Sequence, residues 1–219
     1  MTGARISVIV PATNAAGTIN ALVDHIRVVG YGMAPEIVVV DGDPAGRTLA
    51  ALARDGVTAL PAGPGLAAGQ NAGAAAAGGD RLLFLPVGTR LPVGAFQAVT
   101  SALADQADAG AFSLSIRSGN PFWHLLAAAT NLRSRLWGLA CGDQALFVRR
   151  DLFQAVGGFP DKPGLEDLAF MRALARAGAR ICLLPLRVAI ADQHFRDQGL
   201  WRTAGRGLRR LFQYYAVRG

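Results

Sequence analysis

Lysine is almost missing from this chain of 219 residues: Lys162 is the only one among 22 basic side chains. Cysteine is as scarce, with Cys141 and Cys182 the only two. Two thiols are too few for a disulfide-stapled scaffold or a four-thiolate zinc site. Each reads as a single buried thiol, in keeping with a reducing compartment. Charged residues are few, 17% against 52% hydrophobic, a balance that excludes intrinsic disorder. Long apolar runs are lacking too. The run over 6–10 ends at Pro11, too short for a signal peptide. The uncharged stretch 56–79 holds Pro61, Pro64, Gln70, Asn71 and repeated glycine, a poor composition for a lipid-exposed helix. A cytoplasmic location is the resulting expectation.

What the chain does have is alanine (41 residues), glycine (27) and arginine. The formal charge is +7. Guanidinium groups suit phosphate recognition, but codon bias in a GC-rich genome accounts equally well for choosing arginine over lysine. The positive charge is scattered and no nucleic-acid recognition motif is present, which argues against a nucleic-acid partner. The length fits one domain with a sizeable core.

Three nearly continuous apolar β-rich runs cover 6–10, 36–40 and 81–85. Such runs mark strands buried on both faces by crossover helices. Helix-like stretches at 16–29, 48–54 and 66–77 separate them, so the chain alternates strand and helix around a mostly parallel sheet. A further helix is expected over 92–104 and a strand over 111–116. Beyond residue 118 the pattern changes. An amphipathic helix over 121–137 carries Phe122, Trp123, Leu125, Leu126 and Leu136. A short strand is expected over 144–148 and a turn at Gly157-Gly158-Phe159-Pro160. A helix over 165–177 is stopped by Gly178, and Pro185 separates two apolar segments, 181–184 and 187–190. A terminal helix over 199–216 closes the chain.

In open α/β sheets, ligands bind beyond the carboxyl ends of the strands. Pro11, Ala12, Thr13 and Asn14 follow the first strand; Asp41, Gly42 and Asp43 follow the second. Asp41 is placed to accept hydrogen bonds from a ribose or a base, or to cap the next helix. Gly63-Pro64-Gly65 leads into a helix start whose small residues let a phosphate approach; Asn71 is the polar group that stands out there. Glu166-Asp167 opens a helix, where acidic residues are ordinary dipole chemistry or a base for an acceptor hydroxyl. Gly142-Asp143-Gln144 lies before an inner strand and has the composition to shape the same pocket.

Taken in order, these motifs resemble the family-2 glycosyltransferases of the GT-A fold, and most of all their small single-domain bacterial members. The likeness rests on Ile6-Ser7-Val8-Ile9-Val10-Pro11 with Asn14, Val38-Val39-Val40-Asp41-Gly42 and Asn71-Ala72-Gly73-Ala74. It continues through Gly142-Asp143-Gln144, Phe147-Val148-Arg149-Arg150, Gly157-Gly158-Phe159-Pro160 and Glu166-Asp167. The resemblance implies an α/β, nucleotide-diphospho-sugar transferase-like fold in one domain over 1–219. A nucleotide-binding half would span 1–117, an acceptor half 118–194 and a basic amphipathic helix 195–219. It implies a nucleotide-sugar donor held by Pro11, Thr13, Asn14, Asp41, Asp43, Asn71 and Asp143. Asp167 would be the base of an inverting transfer, with Glu166 supporting. The acceptor would be a sugar or a lipid-linked hydroxyl.

The chain also departs from the family pattern. Gly88 stands where the family places the Asp that binds divalent metal, Mg or Mn, and Ala15 replaces an acidic residue after Asn14. No metal ligand is therefore assigned. Arg90 or Arg47 is left to neutralise a leaving diphosphate, and His194 lies where related enzymes sometimes place a ligand. A degenerate protein that binds a nucleotide or a partner without turnover is the alternative to an enzyme. Six arginines interleaved with Leu200, Trp201, Leu208, Leu211, Phe212 and Tyr215 in the C-terminal segment suit either packing on the domain or contact with an anionic membrane at its inner face.

Overall fold

The computed structural model describes residues 5–191. The C-terminal helix expected over 195–219 and the candidate ligand His194 lie outside the described residues.

The first strand, β1 (Ile6–Ala12), is buried along almost its whole length. It is followed by α1 (Ile19–Val29), which buries Ile19, Leu22, Val23 and Ile26, the i, i+3, i+4, i+7 stripe of a helix lying on a sheet. Then come β2 (Glu36–Asp41), the short α2 (Arg47–Ala51), β3 (Thr58–Pro61), α3 (Leu66–Ala76) and β4 (Arg81–Phe84). β1 pairs in parallel with both β2 and β4, as the apolar runs predict. β3 escapes sequence reading because Thr58, Ala59 and Pro61 are exposed on the edge of the sheet, so burial leaves no apolar run there.

The helix α3 lies unusually close to the sheet. A Cβ on Gly73 would sit 2.4 Å from Ile9 Cγ2 and 2.9 Å from Val40 Cγ2. The Gly and Ala content of this segment is what lets a helix backbone press against β1 and β2.

The second half adds β5 (Thr89–Arg90), α4 (Ala95–Ser101) running into a π-helical turn, β6 (Ala109–Arg117), α5 (Pro121–Trp137), a 3-10 turn (Gly142–Gln144) and β7 (Phe147–Arg149). The last elements are α6 (Arg150–Ala155), α7 (Glu166–Arg176) and β8 (Ile181–Ala191). The sheet order is β3-β2-β1-β4-β7-β6-β8-β5. β7 is antiparallel to both β4 and β6, so the parallel series is interrupted, while β6 and β8 are parallel.

Two expectations are corrected. Pro185 does not divide two segments: β8 is one strand. The β6 register steps from Phe112↔Leu184 to Ser113↔Arg187, a bulge that absorbs Pro185 and Leu186. And α5, whose bounds match the sequence reading, buries only part of its apolar set. Trp123 is buried, yet Leu125 is 70% and Leu136 60% exposed. The helix packs through Trp123, Ala127 and Ser134 instead.

One core fills the space between the sheet and α1, α4 and α5; a second lies under α3, α6 and α7. The antiparallel β7 has a consequence for position. Phe147 pairs with Leu83, and Phe84 N–H donates to the carbonyl of Leu146. The 3-10 turn that precedes β7 therefore sits at the carboxyl end of β4, the edge where the loops after β1 and β2 also emerge.

Candidate functional site

The loops after β1 and β2 are tied together. Gly42 N–H donates to the Ala12 carbonyl at 2.8 Å, and Ala15 N–H donates to Thr48 Oγ1 at 3.1 Å. Pro11 is half-buried beneath them, and Thr13 and Asn14 stand exposed at the rim, Asn14 in the left-handed region at φ 56°. Asp41 is 1% exposed. Its Oδ1 accepts from Asp43 N–H at 2.9 Å, and its Oδ2 from Thr48 and Leu49 N–H at 3.0 and 3.1 Å. The carboxylate orders the loop that leads into α2, the capping role open in the sequence. Asp43 is likewise turned inward, accepting from Ala45 N–H and from Arg47 Nε at 2.6 Å. The Arg47 guanidinium holds the Asp43 carboxyl below its usual range and is itself raised by it. Arg47, one of two arginines expected to face a leaving diphosphate, is thus paired with Asp43.

Asn71 is occupied by a different partner. Its Nδ2 donates to the Phe159 carbonyl at 2.8 Å and its Oδ1 accepts from Phe159 N–H at 2.9 Å. The side chain clasps the Gly157–Pro160 turn to α3. Gly158, at φ +72°, allows this: a Cβ there would lie 2.6 Å from Asn71 Oδ1.

At the same sheet edge, Gly142-Asp143-Gln144 is locked from below. Gln144 is fully buried; its Oε1 accepts from Ser134 Oγ (2.8 Å) and Cys141 N–H (3.1 Å), and its Nε2 donates to the Phe112 carbonyl (3.1 Å). Every polar atom of the amide is used, as burial demands. Above it, Gly142 N–H donates to Asp167 Oδ2 at 2.8 Å. Asp167 lies in the first turn of α7, where the helix dipole favours its charge. Glu166 is buried beside it in sequence.

Sequence reasoning missed Arg133. It projects from α5, and its Nη2 donates to Cys141 Sγ at 2.8 Å. Burial pushes the Cys141 thiol up, and the charges of Asp167 and Asp143 raise it further while Arg133 opposes them. Arg133 thus meets the thiol that also feels the charges of Asp143 and Asp167. The signal was present in α5, whose inward stripe carries a buried Ser134 instead of another Leu, but its neighbours were invisible without the fold.

The residues do not fit a divalent metal at the expected place. Gly88 is exposed at φ +91°, and its flanks Pro86 and Val87 bring no ligand. Asp43 is held by Arg47, and no group of three His, Cys, Asp or Glu forms among the described residues. Nor is any helix among them long and apolar enough to cross a membrane.

Residues 7–153 match the model of the family described as glycosyl transferase family 2. No curated protein matches the chain. Among solved structures, a mannosyltransferase from Pyrobaculum calidifontis, in complex with GDP-Man and Mn2+, superposes with a TM-score of 0.73 at 22% identity. That match covers 99% of this chain but only 65% of the other, so the chain spans less than two thirds of that protein. Mannosyl-3-phosphoglycerate synthase from Rubrobacter xylanophilus follows (TM-score 0.65, 19% identity, covering 97% of this chain and 75% of that one). Glucosyl-3-phosphoglycerate synthase from Mycobacterium tuberculosis, in complex with Mn2+, UDP-glucose and phosphoglyceric acid, gives 0.60 at 18% identity, covering 84% and 71%. At such identities the likeness establishes the fold, which is GT-A, as the ordered motifs predict.

Proposed function

Because the chain belongs to glycosyl transferase family 2, we propose that it transfers a sugar from a nucleotide-sugar donor to an acceptor hydroxyl, with inversion. One observation carries this reading: Asp167 is fixed by Gly142 N–H at 2.8 Å, at the sheet edge where the loops carrying Thr13, Asn14 and Asp41 also open. Thr13 and Asn14 meet the donor, Asp41 and Asp43 shape the loop beneath it, and Pro11 and Asn71 set its walls.

Asp167 takes the proton of the acceptor hydroxyl. The oxygen attacks the anomeric carbon from the face opposite the leaving group, the new C–O bond forms as the bond to phosphate breaks, and the nucleoside diphosphate departs with the electron pair. Gly142 N–H holds the carboxylate in place at the first turn of α7. No step is routed through a metal. The solved neighbours include complexes with GDP-Man and with UDP-glucose and phosphoglyceric acid, so these are the first compounds to try.

A second reading, binding without turnover, draws on Gly88 in place of a carboxylate. The two are separated by following nucleoside diphosphate release from GDP-mannose and UDP-glucose, with candidate acceptors, for the wild type and Asp167→Asn. Turnover that falls 10²–10⁴-fold in the variant, with donor affinity kept, supports the enzyme. Donor binding with no product from any acceptor supports the alternative.

A further inference from the structure

A charged cavity is lined by none of Thr13, Asn14, Asp41, Asp143 and Asp167, although it includes Arg90, the other arginine expected to face a leaving diphosphate. It measures about 380 Å³, within the size range of small-ligand pockets. His25, Arg90, Pro92, Arg117, Arg187 and Ala189 are among its lining residues, and among the described residues no carboxylate lines it.

Strand register builds it. Arg90 on β5 stands directly opposite Ala189 on β8, and Arg117 on β6 stands opposite Ala191. Arg187, two residues before Ala189, shares its face by the two-residue period of a strand. Three guanidinium-bearing positions thus surround one small side chain, which leaves the space between them open. His25, from α1, borders the same space, and its Nε2 accepts from Leu91 N–H at 3.0 Å. That acceptor role leaves the proton on Nδ1, so the ring is a neutral donor. Burial, then repulsion from Arg90 and last from Arg117, lowers the His25 pKa.

Among the described residues, none of Arg90, Arg117 and Arg187 makes an ion pair. Four other arginines, Arg47, Arg54, Arg149 and Arg180, each meet an aspartate. Three like charges gathered around a cavity repel one another unless an anion enters, and the guanidinium fork binds phosphate oxygens in pairs.

We propose that the cavity bounded by His25, Arg90, Arg117 and Arg187 binds a phosphate-bearing anion, at a site separate from the Asp41 loop. The inference rests on the cavity and its charges and does not require the transfer reaction.

Calorimetric titration of the full chain with inorganic phosphate and with glycerol 3-phosphate tests it, using the wild type, the double variant Arg117→Gln/Arg187→Gln, and Asp41→Ala. Arg117 and Arg187 are exposed, so the double variant keeps its core; circular dichroism verifies that. Saturable binding, weakened tenfold or more in the double variant and unchanged in Asp41→Ala, is the expected result. Absence of saturable binding by the wild type, or equal affinity in the folded double variant, overturns the proposal. So does a loss confined to Asp41→Ala, which would assign the anion to the donor loop. A parallel pelleting arm uses phosphatidylcholine vesicles with and without phosphatidic acid. Pelleting that needs phosphatidic acid and Arg117 with Arg187 identifies the phosphate as a lipid headgroup; glycerol 3-phosphate binding without pelleting identifies a soluble ligand.

Discussion

Replacing Gly142 by alanine gives the sharpest probe of the proposed base. Gly142 lies outside the left-handed region, so alanine meets no backbone strain, and the effect comes from contact alone. The added Cβ would lie 2.8 Å from Asp167 Oδ2, 3.0 Å from Oδ1 and 3.1 Å from Cγ. Ordinary van der Waals contact begins near 3.4 Å, so the carboxylate must retreat by about 0.6 Å. It then loses part of the 2.8 Å hydrogen bond from Gly142 N–H. A misplacement of about 1 Å in a reacting group costs about 10²-fold in rate, so roughly half that shift lowers kcat on the order of tenfold. Overpacking costs about 1–3 kcal/mol of stability, which a melting curve reads. Donor KM stays within about threefold, because Thr13 and Asn14 are untouched. The assay is steady-state release of nucleoside diphosphate at saturating acceptor, beside thermal melting of the same preparation. An unchanged kcat in folded Gly142→Ala, together with collapse in Asp167→Asn, would refute the claim that this backbone contact positions the base.

Asp41→Ala leaves the N–H groups of Asp43, Thr48 and Leu49 without their acceptor. It should cost roughly 2–4 kcal/mol of stability and weaken nucleotide binding through loss of loop order, which chemical denaturation and calorimetry measure side by side. Asn71→Ala removes both bonds to Phe159 and should lower stability by about 1–3 kcal/mol, with nucleotide affinity falling only in step with that loss of order. A large affinity loss with an unchanged melting temperature would return Asn71 to direct ligand contact. Donor affinity measured with a chelator and with added manganese should differ by less than about threefold, since Pro86-Val87-Gly88 offers no carboxylate; strict manganese dependence would show that other ligands assemble.

The sequence by itself determined the strands β1, β2 and β4, the bounds of α5 and the start of α7. The reason is local. Strands sealed on both faces must be apolar throughout, and helix ends carry their own signals, such as Asn120 accepting from Phe122 N–H ahead of Pro121. The family's motifs were legible for the same reason: Asp41, Gly142-Asp143-Gln144 and Asp167 sit at element boundaries, where strand or helix gives way to loop. What those residues do was decided only by tertiary structure, because their partners are distant in sequence. Asn71 meets Phe159, 88 residues away, and Asp167 meets Gly142, 25 residues away. Asp41 accepts from N–H groups of its own loop, because a buried carboxylate must find donors. β7 slipped antiparallel between β4 and β6, since a three-residue strand carries no periodicity that records its direction. The cavity of Arg90, Arg117 and Arg187 depends on cross-strand register alone, which no single segment encodes: side chains on three strands become neighbours only when β5, β6 and β8 hydrogen-bond in one particular alignment.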